Sequence, residues 1–401
     1  MPALSFLDAR AAVLREVAAH RGLPPVEQVS IEAAAGRVLA EDIAADRPYP
    51  PFHRSMRDGF ALRAADLPGR CRVIGEVRAG ASFAATVGPG EAVEIMTGAP
   101  VPEGADCVVM VEHTARDAEG FVLTDRPSAA GVNIAPAGSE ARAGDPVLRR
   151  GMRLDYTGIA WLATVGCSHV PVYARPRVAI LATGDEIVPL NVTPATHQIR
   201  NSNSYALAAQ VARAGGIPVI LPVARDDRDE TARLIRTGLE CDLLLLSGGV
   251  SAGKYDFVEL AMADLGATFF FDRVLIQPGA PAVFGRVQEK FFFGLPGNPA
   301  STMVTFEIFA RAAIELLAGN SESPLPLTLA RLTRPFRHKP GLTRFLPAIV
   351  RCDDIQCAEV SPVDWQGSGD VPAICRANAF LVADAHKPDY PAGDLIPVLM
   401  K

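Results

Sequence analysis

Apolar residues recur at helical spacing at the start of the chain. The segment opens with a capping-box pattern, Ser5 followed by Asp8, and it is stopped by Gly22 and Pro24. Between these points, the apolar positions that lie three or four residues apart are Leu7, Ala11, Leu14 and Ala18. The pattern predicts an amphipathic opening helix whose apolar stripe consists of these residues.

A proline cluster, RPYPP at 47–51, marks the start of a region with a different residue pattern. Short runs rich in β-forming residues follow, and Gly and Pro turns separate them. The runs are CRVIGEVRAG, GEAVEIMTGAPVPEGADCVVMVEH and GFVLT. They predict a small β-rich domain that ends near Gly144.

From Pro176 onward, apolar strand-like runs alternate with helical patterns. The runs are RVAILATG, IPVILPV, CDLLLLSGG and KFFFGLPG. The alternation predicts a doubly wound parallel sheet, because strands covered by helices on both faces are apolar throughout. After Gly319 short strands return in LTLARLTRPF, RFLPAIV and NAFLVADA, so we expect a C-terminal β domain. The predicted fold class is α/β plus β-rich domains in a multidomain chain.

Composition and charge narrow the range of functions. A chain of 401 residues that is 49% hydrophobic is long enough for several domains with cores of their own. The formal net charge of -6, without any basic run, argues against a nucleic-acid surface. No apolar run is long enough for a membrane span or a signal peptide, so we expect a cytoplasmic protein. The seven cysteines form no CxxC pair, which favours reduced structural thiols over a zinc site or a disulfide framework.

Three of the predicted parallel strands end in glycine turns that carry polar residues. The turns run from Thr183 to Glu186, from Ser247 to Ser251 and from Gly294 to Ser301. Ligands bind at the carboxyl edge of a parallel sheet, where helix N-termini present N–H groups to anions. In the third turn, Asn298 is placed to cap a helix that Pro299 begins. We expect a phosphate or similar oxyanion here; the alternative is that the glycines only permit tight turns.

The carboxylates beside these turns indicate a bound cation. Asp185, Glu186 and Asp256 would repel an anion unless a cation lay between them, and Mg²⁺ commonly bridges protein carboxylates and phosphates. The alternative for each acid taken alone is a helix N-cap or a first-turn charge. A Walker nucleotide site is excluded, because the sequence has no GxxxxGK[ST] motif, and no complete GxGxxG follows the first strand.

A series of motifs resembles one known family over nearly the whole chain. In order, they are RSMRDGFA, IMTGAPVPEGADCVVMVE, LATGDEIV, QIRNSNSYAL, SGGVSAGKYDFV, PGAPAVFG, GLPGNPAS and GSGD. Together they are similar to the molybdopterin molybdenumtransferases, the MoeA and gephyrin E-domain family. The resemblance implies a transferase that takes adenylylated molybdopterin, inserts molybdate at its dithiolene and releases AMP, and that requires a divalent cation, for which the carboxylates indicate Mg²⁺.

The resemblance also implies an architecture. It indicates four domains per chain, which we place at 1–46 with 145–175, 47–144, 176–322 and 323–401. The third of these is expected to be the doubly wound, MoaB/MogA-like domain that binds molybdopterin. An elongated homodimer is implied as well, with the cleft between the α/β domain of one subunit and the β-rich parts of the other. The molybdopterin adenylyltransferase and recipient molybdoenzymes are the implied protein partners.

Site residues follow from the resemblance and from the glycine turns together. The catalytic positions implied are Asp58, Thr97, Glu186 and Asp256, and the last two are also the implied metal ligands. The predicted substrate-binding residues are Thr183, Gly184, Asp185, Ser247, Gly248, Gly249, Ser251, Lys254, Pro296, Gly297, Asn298, Ser301, Arg344 and Ser368.

Several positions depart from the family pattern, and most of the departures remove positive charge. Ala135 stands where the family has an arginine, and Gln277 and Ala280 stand where it often has lysines. An aspartate of the family is replaced by Glu140. We expect Lys254, at a position that is often acidic, to restore part of the lost charge; the alternative is an ordinary solvated lysine.

Arg344 is a second candidate replacement for the lost charge, because the arginine that the family places near this point is Leu342 here. The loss of basic groups keeps a second function open, that of a non-catalytic carrier or scaffold for molybdopterin or the finished cofactor. Retention of the full carboxylate set favours the enzyme. A third possibility is tungstate as the inserted oxyanion, which the sequence does not separate from molybdate.

Overall fold

A computed structural model of the chain describes residues 1–249, 257–352 and 357–401. Its first 175 residues combine helices with short strands. In chain order, the elements are α1 Phe6–His20, β1 Val26–Ser30, β2 Ile43–Ala44, β3 Arg54–Ser55, β4 Gly59–Leu62, β5 Gly69–Val77, β6 Glu91–Ile95, β7 Cys107–Met110, β8 Ala115–Arg116, β9 Phe121–Thr124, β10 Ile134–Ala135, β11 Pro146–Leu148, α2 Tyr156–Thr164 and β12 His169–Tyr173.

The opening helix begins where the capping box predicts, but its buried face differs from the predicted stripe. The Asp8 N–H donates to Ser5 Oγ at 3.2 Å, which confirms the cap. The stripe was wrong: Leu7 is 71% exposed, whereas Phe6, Val13 and Val17 are buried. The alanine-rich sequence offers two apolar faces, and the ring of Phe6, packed against Phe345, selects the other one.

The β-rich region between 59 and 124 forms one sheet in the order β7-β4-β6-β5-β9-β8, and β3 pairs with β10 beside it. Its two faces carry separate apolar clusters, one around Phe60, Leu62 and Cys107 and the other around Val93 and Val108. Burial on both faces follows from the alternation of side chains along the strands. The predicted β-rich character of this region is thus confirmed.

A further core joins two distant segments of the chain. β1 pairs with β12 and β2 pairs with β11, both antiparallel. Ala34 and Leu39 pack with Leu148, Leu162 and other apolar residues of the second segment. This packing agrees with a discontinuous N-terminal unit, while the exact domain boundaries stay a prediction.

The middle of the chain contains the α/β unit. Its elements are β13 Arg177–Ala182, β14 Ile187–Val188, β15 Ile199–Arg200, α3 Asn203–Arg213, β16 Ile217–Ile220, α4 Arg228–Gly238, β17 Leu243–Ser247, α5 Phe257–Asp264, β18 Thr268–Phe271, β19 Ile276–Gln277, β20 Val283–Val287, β21 Lys290–Leu295, α6 Pro299–Thr305 and α7 Arg311–Leu317, with a π-helical turn Phe306–Ala310 between α6 and α7.

The sheet of this unit is parallel at its centre and antiparallel at one edge. Its order is β16-β13-β17-β21-β20-β18, in which the first four strands are parallel. Successive residues of β17 enter opposite cores: Leu243 and Leu245 pack with α1, α3, α6 and α7, whereas Leu244 and Leu246 pack with α4 and α5. The doubly wound sheet is therefore confirmed.

The C-terminal region closes into a small barrel. Its elements are β22 Leu327–Leu332, β23 Phe336–Arg337, β24 Thr343–Arg351, β25 Glu359–Pro362, α8 Val371–Arg376, β26 Ala379–Ala383, β27 Asp389–Tyr390 and β28 Leu395–Met400. The order β24-β25-β22-β28-β26 returns to β24 through a β24–β26 pairing, so the sheet closes on itself. Within the residues that the structure describes, no helix is long and apolar enough to cross a membrane.

Candidate active site at the carboxyl edge of the sheet

The three glycine turns meet around one cavity of about 450 Å³. The cavity lies where β13, β17 and β21 end, as the sequence predicts for a parallel sheet. Its wall is formed by Thr183, Glu186, Ile187, Ile199, Arg200, Asn201, Ser202, Asn203, Ser247, Gly248, Gly249, Pro281, Pro296, Gly297, Asn298 and Pro299.

Backbone hydrogen bonds join the turns to one another. The Thr183 N–H donates to Ser247 O at 3.2 Å, and the Gly248 N–H donates to Leu295 O at 3.1 Å. Each bond continues the parallel ladder by one step beyond the strands. The turns are consequently held in register by the sheet itself, without help from a ligand.

Two glycines of the second turn are required by geometry. Gly248 has φ +91 and Gly249 has φ +64, in the left-handed region that favours glycine. A Cβ on Gly248 would lie 2.9 Å from Thr183 O, and one on Gly249 would lie 2.8 Å from Thr183 Oγ1. The glycines therefore allow the first and second turns to approach closely, and they also line the cavity.

The third turn leads into a helix, as predicted, but its cap differs. Asn298 is at the N-cap position and Pro299 begins α6, yet the Asn298 side chain makes no capping hydrogen bond. The role predicted for this side chain, to cap the helix, is wrong. Asn298 is exposed and lines the cavity, so its amide is available for a ligand.

One carboxylate and one guanidinium border the cavity within the described ranges. The carboxylate of Glu186 folds back over the first turn, because a Cβ on Gly184 would contact Glu186 Oε2. Arg200 Nε donates to Leu190 O at 3.1 Å and to Val192 O at 3.2 Å, which anchors its guanidinium beside the cavity. An anion and a cation can therefore both find a charged partner here.

The asparagines of the QIRNSN segment belong to the site, although no role was predicted for them from the sequence. Asn203 Nδ2 donates to Ser247 Oγ at 2.9 Å and to Gly297 O at 2.8 Å. Asn201 Oδ1 accepts the Ser204 N–H at 3.1 Å at the start of α3. The available signal was the density of Asn and Ser before a helical run, a composition typical of helix N-termini.

Some predicted substrate-binding residues lie beside the cavity without lining it. Gly184 belongs to the first turn, and Asp185 Oδ1 accepts the Asp226 N–H at 3.3 Å, so it supports a neighbouring loop. Ser301 is buried in α6. Ser368 reaches the same helix through its backbone, because Ser368 O accepts the Ala300 N–H at 2.9 Å. The C-terminal region thus contacts α6 next to the cavity.

Arg344 lies at a different cavity. It is on β24 and borders a volume of about 410 Å³ in the C-terminal region, together with Arg334, Arg337 and Trp365. Arg344 pairs with Gln277 of β19 in a parallel register. Within one chain, the structure therefore does not bring Arg344 to the three glycine turns.

Asp58 and Thr97 contact each other in the β-rich unit. The Thr97 N–H donates to Asp58 Oδ1 at 2.6 Å, and this bond, with a further one from the Thr97 side chain, lowers the pKa of Asp58. Both residues are exposed and neither borders the cavity of the α/β unit. The structure thus brings these two residues to each other, and their predicted catalytic role stays a prediction.

The remaining predicted positions, Ser251, Lys254 and Asp256, lie outside the described residues. In the part of the chain that is described, no group of three His, Cys, Asp or Glu side chains could hold a metal ion. Glu186 is accordingly the one predicted metal ligand whose place can be given.

Comparison with known proteins identifies the family. Three family models match: "MoeA N-terminal region (domain I and II)" at residues 4–166, "Probable molybdopterin binding domain" at 179–316, and "MoeA C-terminal region (domain IV)" at 329–401. The chain is 35% identical over 385 residues to a molybdopterin molybdenumtransferase of Bacillus subtilis (strain 168), covering 93% of this chain and 89% of the relative.

Other relatives and solved structures agree. A molybdopterin molybdenumtransferase of Staphylococcus aureus (strain COL) is 32% identical over 402 residues, covering 98% and 95% of the two chains. A molybdopterin biosynthesis MoeA structure from Pyrococcus horikoshii OT3 superimposes with a TM-score of 0.79 at 27% identity over 100% of both chains. A second such structure gives 0.72 at 30% identity over 99% of both chains. The resemblance carried by the motifs is confirmed, and the chain belongs to the MoeA family.

Proposed function

We propose that this chain is a molybdopterin molybdenumtransferase, which inserts molybdenum into molybdopterin. The observation that carries the proposal is the cavity formed by three glycine turns at one edge of the parallel sheet, in a chain whose relatives bear that enzyme name. The relatives are transferases by name, which is the class that the sequence predicted.

The cavity wall suits an anionic ligand with polar edges. It offers the hydroxyls of Thr183 and Ser247, the free amide of Asn298 and the guanidinium of Arg200. Hydroxyls and amides can donate to phosphate or oxyanion oxygens, and the guanidinium strengthens such contacts with its charge. These groups would bind and orient the substrate, which is the main demand of a reaction that needs little proton transfer from the protein.

The finer steps of the proposal are adenylylated molybdopterin as the substrate, molybdate as the oxyanion and AMP as the released product. Glu186 would hold Mg²⁺ with Asp256, which lies outside the described residues. A single carboxylate at the cavity fits Mg²⁺, since this ion is usually bound by one or two carboxylates plus substrate phosphates. When bound, Mg²⁺ would neutralise charge that develops as the phosphoanhydride is cleaved.

The cavity has less positive charge than the family pattern implies. Pro281 borders the cavity, so the departure at the adjacent Ala280 removes positive charge next to it. Arg200 supplies one guanidinium there, and we propose that Lys254 supplies a second cation.

We further propose a homodimer. Asp58 and Thr97 do not border the cavity of the same chain, so a second subunit would bring its β-rich unit, and these two residues, to the cleft. The molybdopterin adenylyltransferase and the recipient molybdoenzymes are the proposed protein partners before and after the reaction.

The deciding experiment incubates the purified protein with adenylylated molybdopterin, Mg²⁺ and molybdate. AMP release is followed by chromatography, and product is followed by reconstitution of an apo-molybdoenzyme. Release of AMP together with reconstitution supports the enzyme. Tight binding without turnover would overturn it in favour of the carrier, and a parallel reaction with tungstate would show which oxyanion is preferred.

A further inference from the structure

The side chain of Asn203 joins three elements of the cavity wall. Asn203 is the first residue of α3, and its Nδ2 donates to Ser247 Oγ, Gly297 O and, at 3.3 Å, Thr302 Oγ1. These acceptors lie at the end of β17, in the third glycine turn and in α6. One amide group thus connects α3 with both the second and the third turn.

The orientation of this amide is fixed by the chemistry of its partners. The carbonyl oxygen of Gly297 can only accept a hydrogen bond, so Nδ2 must face it. The hydroxyl of Thr302 donates to Pro296 O at 2.5 Å and is therefore free to accept from Asn203. Asn203 and Thr302 consequently hold the backbone of the third turn at two successive residues.

The contact matters because the second and third turns are close together. A Cβ on Gly297 would lie 3.6 Å from the Cα of Gly248. The Gly248 N–H bond to Leu295 O sets the register of the two turns where the strands end, whereas beyond that point the third turn is positioned by the groups that tie it to neighbouring elements. We propose that Asn203 is a positioning residue that holds the third glycine turn at a fixed distance from the second and so sets the width of the ligand cavity.

Gln210 provides a matched comparison on the same helix. It follows Asn203 by two helical turns, or about 10 Å along the axis, and it also ties α3 to the helix after the third glycine turn. Gln210 Nε2 donates to Met303 O at 3.1 Å and to Glu307 Oε1 at 2.8 Å. Among the described residues, Asn203 Oδ1 and Gln210 Oε1 are both buried without a hydrogen-bond partner. The two amides therefore differ mainly in their distance from the cavity.

The test compares Asn203→Ala and Gln210→Ala in the full-length protein. Hydrogen exchange measured by mass spectrometry reports the opening of the backbone in peptides that cover 245–249 and 294–302. We expect exchange of these peptides to be at least about 10-fold faster in Asn203→Ala and unchanged in Gln210→Ala. Asn203→Asp, which has the same shape but cannot donate to Gly297 O, should resemble Asn203→Ala and serves if the alanine variant fails to fold.

A second arm measures the consequence for ligand binding and rests on the proposed function. Calorimetry with molybdopterin should show about 10- to 100-fold weaker binding for Asn203→Ala, because small displacements of a binding turn are costly, and a change within about twofold for Gln210→Ala. Thermal unfolding of both variants controls for global stability.

The outcomes separate the two proposals. Equal exchange in the two variants at both peptides, or faster exchange without weaker binding in Asn203→Ala, would overturn the positioning role. If wild-type protein did not bind molybdopterin at all, the proposed function would fail, and the exchange measurements alone would decide the role of Asn203.

Discussion

The sheet of the α/β unit has a cavity at each of two opposite edges, and the larger one is not the candidate active site. The cavity at the carboxyl edge measures about 450 Å³, whereas the one at the amino edge measures about 560 Å³. The second is lined by His20, Arg21, Gly22, Leu23, Pro24, Pro25, Ala174, Arg175, Pro176, Arg177, Asp242, Glu289, Lys290, Phe291 and Leu317.

The two cavities differ in how far their polar groups are already engaged in hydrogen bonds and ion pairs within the protein. At the amino edge, Arg21 donates to Leu316 O and Asn320 O at the end of α7, and burial lowers its pKa. Asp242 accepts the Arg177 N–H at 2.8 Å and lies 3.5 Å from Lys290 Nζ. These groups hold the fold together. At the carboxyl edge, glycine turns and an uncommitted Asn298 amide leave polar groups for a ligand, so chemistry identifies the site better than volume does.

The largest expected effect comes from a glycine at the carboxyl edge. Gly249→Ala places a Cβ 2.8 Å from Thr183 Oγ1 at φ +64, so it should destabilise the protein by about 1–3 kcal/mol and abolish molybdopterin binding measured by calorimetry. The control is Gly22→Ala at the amino edge, where nothing lies within 4 Å, and it should change neither property. Wild-type binding by Gly249→Ala would contradict the assignment of the site to the glycine turns.

The next effect concerns the carboxylates of the two cavities. Glu186→Gln removes the negative charge at the carboxyl edge and should lower the rate of molybdenum insertion by about 100-fold, because a preorganised charge stabilises the transition state. Glu289→Gln, at the amino edge, should leave the rate unchanged. Equal rates for both variants across a Mg²⁺ titration would show that Glu186 has no role in the reaction.

A smaller effect, on stability alone, is expected at the amino edge. Arg21→Ala removes two charge-assisted hydrogen bonds to the end of α7 and should lower the free energy of unfolding by about 1–3 kcal/mol. Denaturant titration gives this value, and calorimetry should show unchanged molybdopterin binding. A selective loss of binding with full stability would make the amino edge a ligand site after all.

The smallest effect is expected for the ion pair between Lys290 and Asp242. Their side chains are 38% and 47% exposed, and such pairs contribute little because water screens them. Lys290→Ala should therefore change the free energy of unfolding by less than about 1 kcal/mol. A loss several times larger would show that this cavity depends on the pair.

Residue patterns predicted the position of the candidate site at the carboxyl edge, because the topology of a parallel sheet determines where its strands end. The leucines before Ser247 and the phenylalanines before Gly297 mark buried parallel strands, and such strands all end at the same edge. Asn203 was missed because it follows a long loop and the two-residue strand β15, where no apolar run marks the approach to the edge. Its role depends on tertiary contacts with two distant turns.

The structure also differs from the predictions in two other situations. In one, the sequence permits two ways of packing a helix; in the other, the resemblance to a family gives motifs but no distances between them. Leu7 was assigned to the apolar stripe of α1, but the large rings near Phe6 draw the other face of this helix inward. The motif positions of Asp58 and Arg344 suggested a common site, yet within one chain neither borders the cavity. Such residues can meet only through the way in which folded units are arranged, and the pattern of residues along the chain does not predict that arrangement.

The packing of α1 has a consequence for synthesis of the protein. Arg10 of this helix donates to Ile308 O at 2.7 Å, across a sequence separation of 298 residues. At roughly 5–20 residues per second, a ribosome needs about 15–60 s to make the intervening chain. Throughout that interval, the apolar face bearing Phe6, Val13 and Val17 lacks the π-helical turn and α7, against which it packs. The apolar face of α1 is therefore made long before the segment that covers it in the folded protein, so its burial has to wait for the later part of the chain.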